Sequence, residues 1–162
     1  MKVKSFKSKL IISYVIVILV SFAFLAFFLD KNLEENSLKN IESSLVIQAR
    51  LIESQITAEI LKKEDLPSLE WQVLALSQNA KCRITIITDK GKVLADSDKR
   101  AEEIPLMENH RGRTEVRTAV TGNIGIDMRY SPTLKIDMLY VALPIKDKSK
   151  ISGVLRLALP LQ

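Results

Sequence analysis

The 162-residue chain has one cysteine, one histidine and five glycines. With Cys82 alone, no internal disulfide can form, so the folded part must hold by packing or by association with a second copy. With His110 alone, no histidine-based metal cluster is available, and a zinc site would have to be built almost wholly from carboxylates, which zinc rarely accepts. The glycines, at 91, 112, 122, 125 and 153, form neither a P-loop nor a dinucleotide fingerprint. No catalytic residue, metal ligand or cofactor is therefore assigned. Internal repeats and low-complexity segments are lacking too.

A further absence is local. Leu10 to Leu29, LIISYVIVILVSFAFLAFFL, contains no charge, proline or glycine. A helix of that length spans roughly 30 Å, the thickness of a bilayer's hydrocarbon core, and a helix alone satisfies its own backbone there. Lys2, Lys4, Lys7 and Lys9 precede the run with no acid among them. This charge bias keeps the N-terminus cytoplasmic and residues 30–162 outside, at a bacterial plasma (inner) membrane. A cleaved signal peptide would have a shorter apolar region and a small-residue cleavage site, whereas Phe27-Phe28-Leu29 offers none, so an uncleaved signal-anchor is expected. The missing acid also argues against a pilin, which carries one inside its apolar segment. The net charge of +5 includes those four lysines, leaving +1 beyond the span. The basic balance therefore gives no reason to expect nucleic-acid binding.

Beyond the basic tail (1–9) and the span (10–29), the pattern predicts a long helix over 30–63. Leu38, Ile41, Leu45, Ala49, Ile52, Ile56 and Ile60 recur every three or four residues on it. Leu38, Ile41, Leu45, Ile52 and Ile56 are the expected contacts of a homodimer, with the distal half also covering the chain's own domain. Asp65-Leu66-Pro67-Ser68 is a break and restart. A second helix to about Asn79 places Leu69, Val73, Leu76 and Ala80 inward. The period then changes to two. RITIIT (83–88) and KVLA (92–95) flank the hairpin signal Asp89-Lys90-Gly91. A short helix over 113–121 ends at Gly122, and strands follow at 124–130, 136–145 and 151–159. In the last strand Leu155, Leu157 and Leu159 share one face, and Arg156 and Ala158 the other. The fold class is α+β: a PAS-like domain (64–162) with a five-stranded antiparallel sheet.

The densest polar run, Met107 to Val116 (MENHRGRTEV), reads as a loop leading into a helix start. It is either ligand-facing or a solvated loop with Glu115 as a cap. Arg129, Tyr130, Asp137 and Tyr140 fall on adjacent strands and could line a pocket, though Tyr140 equally suits an ordinary sheet position. The candidate ligand-binding residues are His110, Arg113, Arg129, Tyr130 and Tyr140. Trp71 suits a core or an interface equally.

The stretches ITIITDKGKVLADS, MENHRGRTEV, GIDMRYSPTL, DMLYVALPI and GVLRLALPL occur in this order. Together they resemble the extracytoplasmic sensor region of PhoR/PnpS-type sensor histidine kinases of the phosphate regulon. The resemblance runs over the whole chain, and MENHRGRTEV with RYSPTLKIDMLYVALP is its most specific part. It implies a Cache-type domain between two membrane helices, dimeric through the N-terminal helix and responding to an extracytoplasmic ligand or protein. A second span, a HAMP linker and kinase domains that address a response regulator are expected beyond Gln162. The chain is accordingly read as a fragment that cannot autophosphorylate. Chemoreceptors and cyclic-nucleotide enzymes share such sensor domains, and a membrane-anchored binding module acting through dimerisation alone is a further alternative.

Overall fold

A computed structural model describes residues 6–56, 66–132 and 134–161. The chain divides into two compact units, Met1–Ile41 and Glu42–Gln162. Helix α1 (Phe6–Glu53) begins in the first and ends in the second. Among the described residues one helical segment, Phe6–Phe28, is long and apolar enough to cross a membrane, with a mean hydropathy of 2.8 and none of its most apolar window buried. An apolar surface this continuous needs an apolar medium or partner around it.

The helix expected over 30–63 ends earlier, at Glu53, and residues 54–56 are turn and bend. Competition for backbone groups accounts for the stop. Ser54 Oγ and Gln55 Nε2 both donate to the Leu51 carbonyl, at 2.8 and 3.2 Å, and the Ile56 amide is shared between the Ile52 and Glu53 carbonyls. The Gln55 carbonyl accepts from Gln72 Nε2 of the next helix at 3.0 Å. The predicted helical positions beyond Ile56, Ile60 among them, and the Asp65 cap lie outside the described residues.

In the second unit, α2 (Leu66–Ala80) buries Leu69 and Val73 and packs across β1 (Arg83–Thr88) and β2 (Val93–Asp96). Two 3-10 turns follow, Ala101–Leu106 and His110–Gly112, then α3 (Thr114–Ala119). Strands β3 (Gly125–Ser131), β4 (Ile136–Asp147) and β5 (Lys150–Leu161) complete one sheet in the order β2-β1-β5-β4-β3, every pair antiparallel. The expected five-stranded α+β fold is what forms. Trp71 is 74% exposed and is no core anchor.

Register fixes what each face carries. One face holds Ile84, Ile86, Leu155, Leu157, Val141 and Leu143, all buried. Fully burying each such side chain stabilises by roughly 1.5–3 kcal/mol. The other face is split. At one end Ile87, Val93, Ala142 and Val154 form a core with Ile104, Val116 and Ala119 under α3. Beyond it runs a row of paired positions, Asp96, Thr85, Arg156, Ala142 and Gly125, followed by a second, Arg83, Ala158, Tyr140 and Asp127. Charged residues thus stand on the face that α3 covers, and the opposite face is apolar apart from its exposed rim, where Asp137 pairs with Tyr130.

Candidate functional site

The loop that carries His110 is folded back onto the β1–β2 hairpin. Gly91, at φ +89°, makes that turn, and an added Cβ there would meet Asn109 Oδ1 at 2.2 Å. Asn109 Nδ2 donates to the Lys90 carbonyl at 3.0 Å, the His110 amide donates to the Gly91 carbonyl at 2.8 Å, and Arg111 reaches the Asp89 carbonyl. The result is a buried His110 whose Nδ1 lies 2.8 Å from the Glu108 carbonyl and so carries the hydrogen. Burial first, and then the nearby Arg156, hold its pKa below the usual 6.5, against the pull of the Glu108 carbonyl. Arg113, the residue before α3, pairs with Glu108.

Glu115, in the first turn of α3, is completely buried. Its carboxylate takes Arg129 bidentately, Nη1 to Oε2 at 2.8 Å and Nη2 to Oε1 at 3.0 Å. Asp127 also binds the Arg129 guanidinium, which lies 3.7 Å from the centroid of the Tyr140 ring. Burial opposes both charges, yet the hydrogen-bonded pair outweighs it: Glu115 is held below the ordinary carboxylate range and Arg129 is raised. The solvated-loop reading, with Glu115 as a cap, is therefore corrected. This carboxylate is an internal counter-ion, brought into place because Gly125 lets the α3 backbone approach β3: a Cβ at Gly125 would stand 1.9 Å from the Glu115 carbonyl oxygen.

Arg156 is only 4% exposed. Its Nη2 donates to Thr85 Oγ1 at 3.2 Å, and Thr85 Oγ1 donates to Asp96 Oδ2 at 2.7 Å. Asp96 in turn is held by Arg83 Nε at 2.9 and 3.1 Å. Burial pulls the Arg156 pKa down to about 10, with Glu115 opposing.

Of these groups His110, Glu108, Tyr140 and the arginines other than Arg111 border a cavity of about 840 Å³, whose lining does not include Glu115, Asp96 or Thr85. All five candidate ligand residues, His110, Arg113, Arg129, Tyr130 and Tyr140, line it, and Asp137, proposed beside them, does not. Residues the sequence reading left unassigned complete the lining, notably Arg83, Arg156, Met107, Met138 and Ala158. The signal for Arg156 was present: a charge in the middle of an otherwise apolar strand, on the side away from Leu155 and Leu157. The buried Cys82 thiol, pushed up to about 11 by burial and then Asp98, is no nucleophile at neutral pH.

The dimer residues divide. Leu45, Ile52 and Ile56, in the half expected to cover the chain's own domain, are buried in a single copy, while Leu38 and Ile41 are half-buried.

No family model and no curated relative matches the chain. Solved structures do. It is similar to the ligand-binding domain of the Campylobacter jejuni chemoreceptor Tlp3, solved with 4-methylisoleucine, at a TM-score of 0.62 and 16% identity over 76% of this chain and 52% of that one. The sensor domain of the V. cholerae histidine kinase DctB follows, at 0.60 and 14% over 79% and 55%. The Pseudomonas aeruginosa amino-acid chemoreceptor PctC, solved with GABA, gives 0.55 and 16% over 76% and 56%. The chain spans about half the length of these domains. At such identities the likeness establishes the fold alone, one shared with the ligand-binding and sensor domains of these chemoreceptors and this histidine kinase.

Proposed function

We propose that this chain is the extracytoplasmic input module of a membrane-anchored two-component sensor histidine kinase. The observation that carries the reading is the 840 Å³ cavity, walled by charged side chains on the α3 side of a Cache-type sheet. The apolar Phe6–Phe28 segment and the four lysines at its start support an anchor with a cytoplasmic N-terminus. Assignment to the PhoR/PnpS type of the phosphate regulon rests on the MENHRGRTEV and RYSPTLKIDMLYVALP resemblance. The chemoreceptor neighbours favour one second reading, the same module in a chemoreceptor. Either output would lie beyond Gln162.

The test is a graft. Residues 1–162 replacing the input region of a full-length sensor kinase should put output under the cavity's control. Arg129→Ala and Tyr140→Ala should then shift reporter output by about fivefold or more, the lower range of measured coupling between sites. Equal output at equal membrane level would reject the reading.

A second copy is proposed to dock on the opposite side of α1 from the buried stripe. Ile47 and Leu51 are 59% and 61% exposed. With Ser44 they follow the 3–4 spacing of a coiled-coil seam. Ile47→Cys should form an intermolecular disulfide in membranes and Ile52→Cys should not; the reverse would restore the original stripe.

A further inference from the structure

The charges around the cavity are balanced unevenly. Two buried carboxylates lie near Arg156, and both are committed elsewhere. Glu115 is chelated by Arg129, which leaves it 3.7 Å from Arg156 Nη1, beyond hydrogen-bond length. Asp96 is chelated by Arg83 and reaches Arg156 only through the Thr85 hydroxyl. Arg156 Nε has no hydrogen-bond partner among the described residues, although the side chain is almost wholly buried. A guanidinium has five donors in a fixed fork and no means of losing its charge at neutral pH. Leaving it buried and half-partnered is costly unless another anion completes it. Arg129, by contrast, hydrogen-bonds two carboxylates, while both guanidiniums lie over the Tyr140 ring, Arg129 at 3.7 Å and Arg156 at 5.4 Å.

The rest of the wall limits what that anion can be. Met107, Leu134, Met138 and Ala158 line the same cavity and offer apolar contact. The acids on it, Asp98 and Glu108, already face Arg83 and Arg113. We infer that this cavity takes a small organic carboxylate with an apolar body, its carboxylate on Arg156 and its body against Met107, Leu134 and Met138. This rests on the sensing role proposed above and adds the ligand's chemical class. Arg156 is then a ligand-binding residue, and Glu115 and Asp96 keep it only partly neutralised.

The probes are hexanoate, its neutral isostere hexanamide, hexylamine and inorganic phosphate, titrated calorimetrically against the full chain in lipid nanodiscs. Hexanoate should bind saturably and hexanamide about tenfold or more weaker, since a charge-assisted hydrogen bond is replaced by neutral ones. Arg156→Gln should remove the preference while keeping the wild-type melting temperature or raising it, because an incompletely compensated charge is lost. Arg156→Lys, which keeps the charge without the fork, should retain part of the preference. Equal binding of hexanoate and hexanamide, phosphate binding in place of hexanoate, or wild-type hexanoate affinity in Arg156→Gln would each overturn the inference. If both Arg156 variants unfold, the hexanoate-to-hexanamide ratio of the wild-type chain decides it alone. The graft separates the two readings. If hexanoate fails yet cavity variants still move its output, the input role stands and only the carboxylate class falls.

Discussion

Glu115→Ala should destabilise the domain by about 3–5 kcal/mol, because it removes a fully buried carboxylate, leaves Arg129 to Asp127 alone and takes from Arg156 its nearest acid. Against the 5–15 kcal/mol typical of a whole domain, that is a large share. Glu115 is the sole hydrogen-bonded anion of α3 reaching across to the sheet, serving Arg129 at 2.8 and 3.0 Å with Arg156 at 3.7 Å. The order among variants is diagnostic. Arg129→Ala should cost less than Glu115→Ala, because Arg156 stands close enough to take over the carboxylate, whereas Asp96, the other buried acid among the described residues, is already held by Arg83. Urea unfolding monitored by circular dichroism measures both, and a smaller loss in Glu115→Ala would contradict the network.

The same carboxylate sets the acid response. Its folded pKa lies below the ordinary 4.5, so its stabilising contribution is complete above pH 4.5 and is lost as pH falls through the folded value. His110 is also lowered, beneath 6.5. A buried neutral imidazole resists protonation, so its contribution is complete above pH 6.5 and declines below it. Acid should therefore weaken the domain in two stages, and Glu115→Gln should remove the lower one.

The second large effect is steric. Gly125→Ala would place a methyl 1.9 Å from the Glu115 carbonyl oxygen and 2.6 Å from its carbonyl carbon. These are backbone atoms, so α3 or β3 itself must move. Overpacking of this kind costs typically 1–3 kcal/mol. Here the displaced helix also carries Glu115, so about 3 kcal/mol or more is expected, with partial loss of the Arg129 pair. Gly112→Ala, where nothing lies within 4 Å, is the matched control and should be nearly neutral. Thermal unfolding of the two proteins side by side checks this, and equal melting temperatures would show that α3 is not held against β3.

Much of the sheet was legible because its signals are local. The period-two alternation and the turn at Asp89-Lys90-Gly91 locate all the strands to within a residue or two. All five pocket candidates converge, since loop and strand polarity marked them. What stayed hidden depends on pairing between distant segments. Arg156 meets Thr85 and Glu115 meets Arg129 only once β5 is seated between β1 and β4. The helix stop at Glu53 was equally unmarked, for no glycine or proline lies there, only side chains that compete for one carbonyl. Periodicity could not say whether the apolar stripe faces a second copy or its own sheet, and burial shows that Leu45, Ile52 and Ile56 face inward.

If the state of this cavity governs an output across the membrane, filling it should fix that output. Ala158 is buried, lines the cavity and pairs with Tyr140 across β4 and β5, so Ala158→Trp fills the cavity from its wall. The decisive measurement is kinase output from the graft carrying this one substitution, at matched membrane level and with the domain still folded. Output should be fixed at one level and no longer respond to the growth condition that moves the wild-type graft. A filled cavity with wild-type responsiveness would contradict control by the cavity.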